Sequence, residues 1–206
     1  MLNHLPLDEK WNVYTHGFGA LMSIVGVGLL IYSTELNPLA YGAFLIYGAS
    51  MVFLFSASAI YHSVPPERQA FWQKIDHIGI YFLIAGTYTP VTLTILKDSS
   101  GLYLLAGVWF IAFLGMVYKI FFIGQFRNFS LFFYLAMGWL VIFDIENVVN
   151  IFPYEAFVYL AIGGFFYTAG TIFYRWESLY FHHVIWHVFV LCGAGAHFKM
   201  VSLLLT

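Results

Sequence analysis

The sequence has little charge and almost no cysteine. Only 9% of its 206 residues are charged, whereas 62% are hydrophobic and 21% are aromatic. A soluble domain has about 25% charged residues, so this composition excludes an ordinary soluble protein and indicates a polytopic membrane protein. The few Lys and Arg residues form no basic patch or stripe, which argues against a nucleic-acid partner. The single cysteine, Cys192, excludes an intramolecular disulfide and a cysteine-based zinc cluster.

The first residues, MLNHLPLDEKWN, lack the features of a cleavable signal peptide. No basic region precedes the first apolar stretch, and no cleavage site with small residues follows it in the usual order. We therefore expect the first hydrophobic segment to remain as a membrane anchor.

Seven hydrophobic segments are long enough to cross a bilayer, which takes about 20 mostly apolar residues. They cover approximately residues 14–33, 39–62, 77–96, 101–123, 130–149, 155–174 and 182–203. The segments between them are short and contain turn residues or charges, so consecutive helices should be neighbours. Nothing indicates an internal repeat or a second domain. We predict an all-α integral membrane protein in which residues 1–206 form one seven-transmembrane helix bundle.

The basic residues favour a cytoplasmic N-terminus and an extracytoplasmic C-terminus. In that orientation six of the eight Lys and Arg residues lie inside, in keeping with the positive-inside rule. The six are Lys10, Arg68, Lys74, Lys119, Arg127 and Arg175, and the two outside are Lys97 and Lys199. The opposite ends carry Glu35, Asp98, Asp144, Glu146 and Glu155. We expect these acids to be solvated at helix ends, although Asp144 and Glu146 fall inside the fifth predicted span.

Polar residues of three helices meet at the cytoplasmic level of this predicted bundle. They are His62 at the end of the second span, Asp76 and His77 at the start of the third, and His182, His183 and His187 at the start of the seventh. An imidazole inside the membrane is costly unless it has a partner. A metal ion would satisfy several of these imidazoles together.

The spacing of these residues predicts a zinc site. His183 and His187 are four residues apart, so they share one helix face and can bind one ion. Together with His62 they would supply three neutral nitrogens and leave one position open, as in catalytic zinc sites. Such an ion lowers the pKa of its water to about 7. Asp76 is the candidate that orients the water and takes its proton, and Ser58 lies four residues before His62 on the same face.

Simpler explanations exist for some residues near this site. His182 lies about 100° around the helix from His183 and would face headgroups or solvent. His77 would cap the helix or form a local hydrogen bond. Ser58 could donate to the carbonyl four residues earlier in its own helix, as serines in membrane helices often do.

The remaining histidines are further from the predicted ion. His16 lies early in the first span, near the same surface, and is either structural or a support behind the ligands. His4 is expected to be terminal and solvated. His197 lies about 15 Å along the helix axis from His187, so it cannot bind the same ion. We expect His197 to bond to a neighbouring helix.

Four stretches resemble signatures of the haemolysin III / progestin-and-adipoQ-receptor family. They are NVYTHGFGA, which is similar to the first-span signature of the bacterial haemolysin III branch, SASAIYHS, KIDHIGIYFLIAGTYTP and HHVIWHVFVLCGAGAHF. The resemblance implies a seven-helix bundle with the N-terminus inside. It also implies zinc held by His62, His183 and His187, with Asp76 contacting it through water and Ser58 nearby.

The same resemblance implies a ceramidase-like function, because the wider superfamily is thought to contain membrane hydrolases. The expected substrate is a membrane lipid with an amide or ester bond, and the expected role is membrane lipid homeostasis. Haemolytic activity is also associated with some bacterial members.

Two other function classes stay open from the residues alone. The first is a non-enzymatic membrane protein with structural zinc, either a lipid-state sensor or a pore-forming haemolysin. No predicted span has the repeated polar stripe that would line a pore. The second is a di-iron or haem enzyme, for which the eight histidines do not form the required clusters, and which leaves Asp76 unexplained.

Overall fold

The described part of the protein is built entirely from helices. The computed structural model describes residue 2 and residues 5–32, 38–122 and 127–204, and for Arg127 only the backbone. No strand occurs among these residues. The helices are α1 (Leu7–Tyr32), α2 (Pro38–Ser63), α3 (Pro66–Thr94), α4 (Gly101–Phe122), α5 (Arg127–Gly138), α6 (Ile145–Ile151), α7 (Tyr154–Arg175) and α8 (His182–Leu203). A 3₁₀ segment, Leu140–Asp144, joins α5 to α6, so these three form one broken rod.

Six of the resulting rods are long and apolar enough to cross a membrane. They are α1, α2, α4, the broken rod over Asn128–Ile151, α7 and α8. The prediction of an all-α, multi-pass membrane protein is therefore confirmed. The remaining predicted span, 77–96, falls within α3, which is not among these six.

Helix α3 is less apolar because much of its surface faces protein. It begins at Pro66, well before residue 77, with proline in the first turn, where a missing N–H costs nothing. Its first three turns contain Glu67, Arg68, Lys74 and Asp76. It packs between α2 and α4, and its second half has several buried residues. A helix covered by its neighbours need not be as hydrophobic as one that faces lipid.

The packing order places four helices around the predicted site. Helix α1 packs against α2 and α8, α2 also packs against α3, and α8 touches α3. Helix α7 packs on the other side of α8. A large apolar cluster, to which α2 contributes Phe44, Tyr47, Met51, Leu54 and Phe55, fills the space between these helices. The ends of α2 and α8 are thereby held next to each other.

A glycine lets α2 and α3 approach closely beside the site. A Cβ atom at Gly79 would lie 3.0 Å from the backbone Cα of Leu54, which is closer than almost all real Cβ contacts. Gly79 lies about one turn after Asp76 on α3. This close contact therefore fixes how far Asp76 is from α2.

The fifth predicted span is not one continuous helix. It changes to 3₁₀ geometry between α5 and α6, and a tyrosine of α3 satisfies the backbone groups at the break. The Tyr88 hydroxyl lies 3.1 Å from the carbonyl oxygen of Met137 and 2.9 Å from that of Gly138, and it accepts from the N–H of Val141 at 3.0 Å. A break at membrane depth is tolerated where neighbouring helices supply such partners.

The acids expected at solvated helix ends behave differently from one another. Asp98, Glu146 and Glu155 are exposed, as expected. Asp144 is buried, so the expectation is wrong for this residue. Its Oδ1 atom accepts a hydrogen bond from the side-chain amide of Asn147 at 2.6 Å. Glu35 lies outside the described residues.

Candidate metal centre

Three histidines predicted as metal ligands meet at one end of the bundle. His62 comes from the last turn of α2, and His183 and His187 come from the first two turns of α8. Each offers one ring nitrogen, and these three nitrogens lie within 4.8 Å of one another. The ring centroids are 5.0 Å apart for His62 with either other histidine and 4.7 Å for His183 with His187. The sequence prediction that these three side chains converge agrees with this geometry.

The donor set fits a divalent metal ion such as zinc. Zn–N bonds of about 2.0–2.1 Å place neighbouring nitrogens about 3.4 Å apart in a tetrahedral site. Small rotations of the imidazoles cover the difference from the observed separations. The Nε2 atom of His62 is buried and has no hydrogen-bond partner among the described residues. A buried polar atom left in this state is costly, and a metal ion would satisfy it.

Asp76 and Ser58 lie next to this cluster. Asp76 is buried on α3, where its carboxylate interacts electrostatically with His62 and lies beside the Ser58 hydroxyl. Ser58 is buried on α2, and its Oγ atom forms no well-aligned hydrogen bond within the described residues. The alternative explanation for Ser58, a bond to its own helix, is therefore not supported. Three helices bring all five predicted site residues together.

A buried lysine adds a positive charge near Asp76. Lys119, on the last turns of α4, is only 2% exposed. Its Nζ atom lies 5.9 Å from the ring centroid of Tyr134, and its charge acts on Asp76. Sequence reasoning treated Lys119 only as a marker of the cytoplasmic side. The structure shows that this residue is buried near the site.

Helix α1 contributes polar contacts that the sequence analysis did not predict. The His62 Nδ1 atom lies 2.6 Å from Oε2 of Glu9. The Asn12 side-chain amide lies 3.4 Å from the same carboxylate oxygen. Thr15 Oγ1 lies 3.2 Å from Nδ1 of His187. Two of the three candidate ligands are thus contacted by the first helix through their Nδ1 atoms.

His16 is a further residue of α1 that contacts the cluster. Its ring stacks on His187, with the centroids 3.5 Å apart and the planes 7° apart, and it meets Phe55 edge-on. His16 therefore supports a ligand from behind, one of the two alternatives expected for it. The sequence does indicate this shared face, because Glu9, Asn12 and His16 follow spacings of three and four residues. Such spacings place polar residues on one helix face.

The other histidines do not belong to the cluster of three nitrogens, although the rings of His182 and His183 lie 5.9 Å apart. His182 is half-buried, and its Nδ1 atom donates to the carbonyl of Phe173 at 3.1 Å, so it ties α8 to the end of α7. His197 Nε2 donates to the carbonyl of Leu160 on α7 at 3.3 Å, which confirms a bond to a neighbouring helix.

His77 is half-buried, and its backbone carbonyl accepts from the Tyr134 hydroxyl at 3.2 Å. His4 lies outside the described residues.

One known protein family matches this chain. The family model described as Haemolysin-III related matches residues 6–198 of the chain. The chain belongs to the haemolysin III-related family. The match extends from the start of α1 into α8 and includes every residue of the candidate metal centre. It confirms the resemblance found in the four sequence motifs.

Individual relatives cover nearly the whole chain. A Hemolysin-3 homolog of Bacillus subtilis (strain 168) is 42% identical over 197 residues, which are 94% of this chain and 92% of the relative. Hemolysin-3 of Bacillus cereus is 40% identical over 197 residues, covering 94% and 90%. A more distant relative, the human Monocyte to macrophage differentiation factor, is 29% identical over 205 residues, covering 94% and 83%. Within the described residues, six helices are long and apolar enough to cross a membrane, and the haemolysin III-related protein is a multi-pass protein of the bacterial cell membrane.

Proposed function

We propose that this haemolysin III-related protein is a zinc-dependent membrane hydrolase that cleaves a lipid amide or ester, in the manner of a ceramidase. The observation that carries the proposal is the convergence of His62, His183 and His187 beside the buried Asp76. Three imidazoles and one open position are the donor set of catalytic zinc sites, whereas structural sites have four protein ligands. Hydrolysis of a membrane lipid would serve membrane lipid homeostasis.

The ligands and Asp76 have distinct roles in this proposal. His62, His183 and His187 hold the ion. When bound there, zinc would supply Lewis-acid chemistry for the substrate carbonyl and would lower the pKa of a water molecule to about 7. Asp76 accepts a proton from the attacking water and later donates it to the leaving nitrogen or oxygen.

Ser58 and the surrounding helices position the reactants. The Ser58 hydroxyl lies beside Asp76 and can hold the water or the carbonyl oxygen by one hydrogen bond. The water oxygen bonds to the carbonyl carbon, the C–N or C–O bond breaks, and a carboxylic acid and an amine or alcohol leave. Packing of α2, α3 and α8 around the site keeps bulk water out, which strengthens the electrostatic interactions inside it.

We also propose that all seven rods cross the membrane and that the N-terminus is cytoplasmic. Contacts between side chains support a common end for several helices. Glu9 at the start of α1 meets His62 at the end of α2, and Lys74 near the start of α3 donates to the carbonyl of Ile120 at the end of α4. Six of the eight basic residues belong to this end. The site would then receive a lipid carbonyl from the inner leaflet.

The test of this function is lipid hydrolysis by purified protein in proteoliposomes. Fatty acid release is measured from a lipid amide and from a lipid ester, with zinc, after chelation and after zinc is restored. We expect chelatable release by the wild type and none by the His187→Ala variant. His197→Gln is the matched control, because this buried histidine lies outside the centre and glutamine can still donate to Leu160. Failure of the folded, zinc-loaded wild type to release fatty acid from either class contradicts the proposal.

A second candidate function is suggested by a relative's name. The Bacillus cereus relative, 40% identical, is named Hemolysin-3. The alternative is therefore a non-enzymatic protein, either a lytic protein or a sensor of lipid state, in which zinc is structural. Leakage of dye from liposomes distinguishes the two functions. Leakage that persists at full rate in the His62→Ala and His187→Ala variants would favour lysis independent of the metal centre.

A further inference from the structure

Helix α1 contacts two of the proposed zinc ligands on the side away from the ion. We infer that Glu9 and Thr15 are positioning residues that hold His62 and His187 with their Nε2 atoms turned towards the metal. This inference rests on the proposed function, because it concerns metal binding at the same centre. It adds a role for the first helix, which supplies none of the three ligands.

The contact between Glu9 and His62 fixes one tautomer of the imidazole. A carboxylate only accepts hydrogen bonds, so the proton at the 2.6 Å contact belongs to Nδ1 of His62. The lone pair of the neutral ring is then on Nε2. That atom is buried and has no hydrogen-bond partner within the described parts of the chain. The ring is therefore held in the one tautomer that can donate electrons to an ion in the cluster.

Glu9 is itself held in place by its own helix. The Asn12 amide, one turn later, lies 3.4 Å from the same carboxylate oxygen. Glu9 lies in the first turn of α1, where the positive end of the helix dipole stabilises a carboxylate. Its side chain is 33% exposed, whereas that of His62 is 5% exposed. The negative charge thus keeps part of its hydration while it orients a buried ring.

Thr15 makes the equivalent contact with His187. Its hydroxyl lies 2.8 Å from the carbonyl of Trp11 and 3.0 Å from that of Asn12, and because both contacts are shorter than the one with His187, we assign its one proton to α1. The oxygen can then only accept from Nδ1–H of His187, at 3.2 Å. The stacked ring of His16 covers the face of His187. The second ligand is therefore also fixed with Nε2 free.

Such contacts matter for affinity because they orient the ligands before the ion binds. A carboxylate behind a metal-binding histidine also makes the imidazole more basic. Loss of partners of this kind typically lowers metal affinity by about 10–100-fold. Glu9 should have the larger effect of the two, because its hydrogen bond is shorter and charge-assisted.

The experiment measures zinc affinity by chelator competition with the full-length protein in detergent. The variants are Glu9→Ala, Glu9→Gln, Thr15→Ala and, as a control, Glu67→Gln, an exposed acid at the start of α3. We expect Glu9→Ala to bind zinc about 10–100-fold more weakly. Glu9→Gln should be intermediate, because its amide oxygen still accepts from Nδ1–H but carries no charge. Glu67→Gln should match the wild type.

Nitrogen-15 NMR of histidine-labelled protein adds a readout that a purely structural role would not change. We expect His62 of the wild type to carry its proton on Nδ1, and Glu9→Ala to lose this preference. If Glu9→Ala fails to fold, zinc affinity and the His62 tautomer are measured on Glu9→Gln instead.

The outcomes separate this inference from the proposed function. If the wild type binds zinc and both Glu9 variants bind it equally well, the assignment of Glu9 is overturned and the zinc site stands. Weakened binding with an unchanged His62 tautomer also overturns it. If the wild type binds no zinc, the proposed function fails and this inference fails with it.

Discussion

The Nδ1 atom of His62 lies 2.6 Å from Oε2 of Glu9, and this contact joins the first turn of α1 to the last turn of α2. The two residues are 53 positions apart in the sequence. The candidate metal centre is therefore built by four helices, with ligands from α2 and α8, a carboxylate from α3 and supporting contacts from α1. Such an arrangement orients two of the three imidazoles, those of His62 and His187, by a second contact, as is usual at metal sites.

The first prediction concerns Asp76 as the proton acceptor. Asp76→Asn should lower kcat by about 10²–10⁴-fold, because a general acid–base contributes this much to a rate. Zinc content should be retained, since Asp76 is not one of the three clustered ligands. Steady-state lipid hydrolysis and metal analysis of the same preparation check both parts. Asp98→Asn is the control, because Asp98 is exposed outside the centre. Full activity in Asp76→Asn would remove Asp76 from the mechanism.

The second prediction concerns Ser58. Ser58→Ala should lower kcat by about fivefold while zinc content stays the same, because one hydrogen bond is worth about 1 kcal/mol. Ser23→Ala is a matched control, since Ser23 is a buried serine whose hydroxyl donates to its own helix at Gly19. Equal activities of these two variants would show that Ser58 positions neither water nor substrate.

The third prediction concerns the contact between α2 and α3. Gly79→Ala should destabilise the protein by about 1–3 kcal/mol, because the new Cβ overpacks against the backbone of Leu54. It should also reduce hydrolysis, since any shift of α3 moves Asp76. Gly17→Ala has nothing within 4 Å of the new Cβ and should be neutral or slightly stabilising. Thermal unfolding in detergent compares the two variants, and equal melting temperatures would contradict the packing argument.

The fourth prediction concerns orientation in the membrane. Alkaline phosphatase fused after Thr206 should be active in a bacterial host, because the C-terminus is expected outside the cytoplasm. Green fluorescent protein at the same position should remain dark when exported in the unfolded state. The reverse pattern would place the metal centre at the outer face and would contradict presentation of substrate from the inner leaflet.

The metal-binding histidines could be predicted because their spacing is local. His183 and His187 share a helix face by sequence separation alone, and His62 is at the same level because it ends the second predicted span on the cytoplasmic side. The carboxylate of Glu9 was not predicted because it precedes the first hydrophobic segment, at residues 14–33. Hydropathy indicates which part of a chain prefers lipid, whereas α1 begins earlier than that segment, at Leu7.

Two features of the fold required tertiary information. The break between α5 and α6 depends on the hydroxyl of Tyr88, which comes from α3 and replaces lost backbone hydrogen bonds. No local pattern in the broken segment reveals such a partner. Similarly, the stretch SVPPERQAFWQK lies between the second and third predicted spans. Its residues from Pro66 onward form the first turns of α3. Their charges indicated a loop, but polar residues can continue a helix where its end leaves the apolar region.

The most direct test of the central claim is the metal content of the detergent-purified protein, measured beside the His62→Ala, His183→Ala and His187→Ala variants. The account predicts about one zinc per wild-type chain and loss of that zinc in each of the three folded variants. Absence of zinc from the wild type, or zinc retained in all three variants, would contradict it. The three imidazoles would then be buried hydrogen-bonding groups, and the hydrolase proposal would fail with the metal centre.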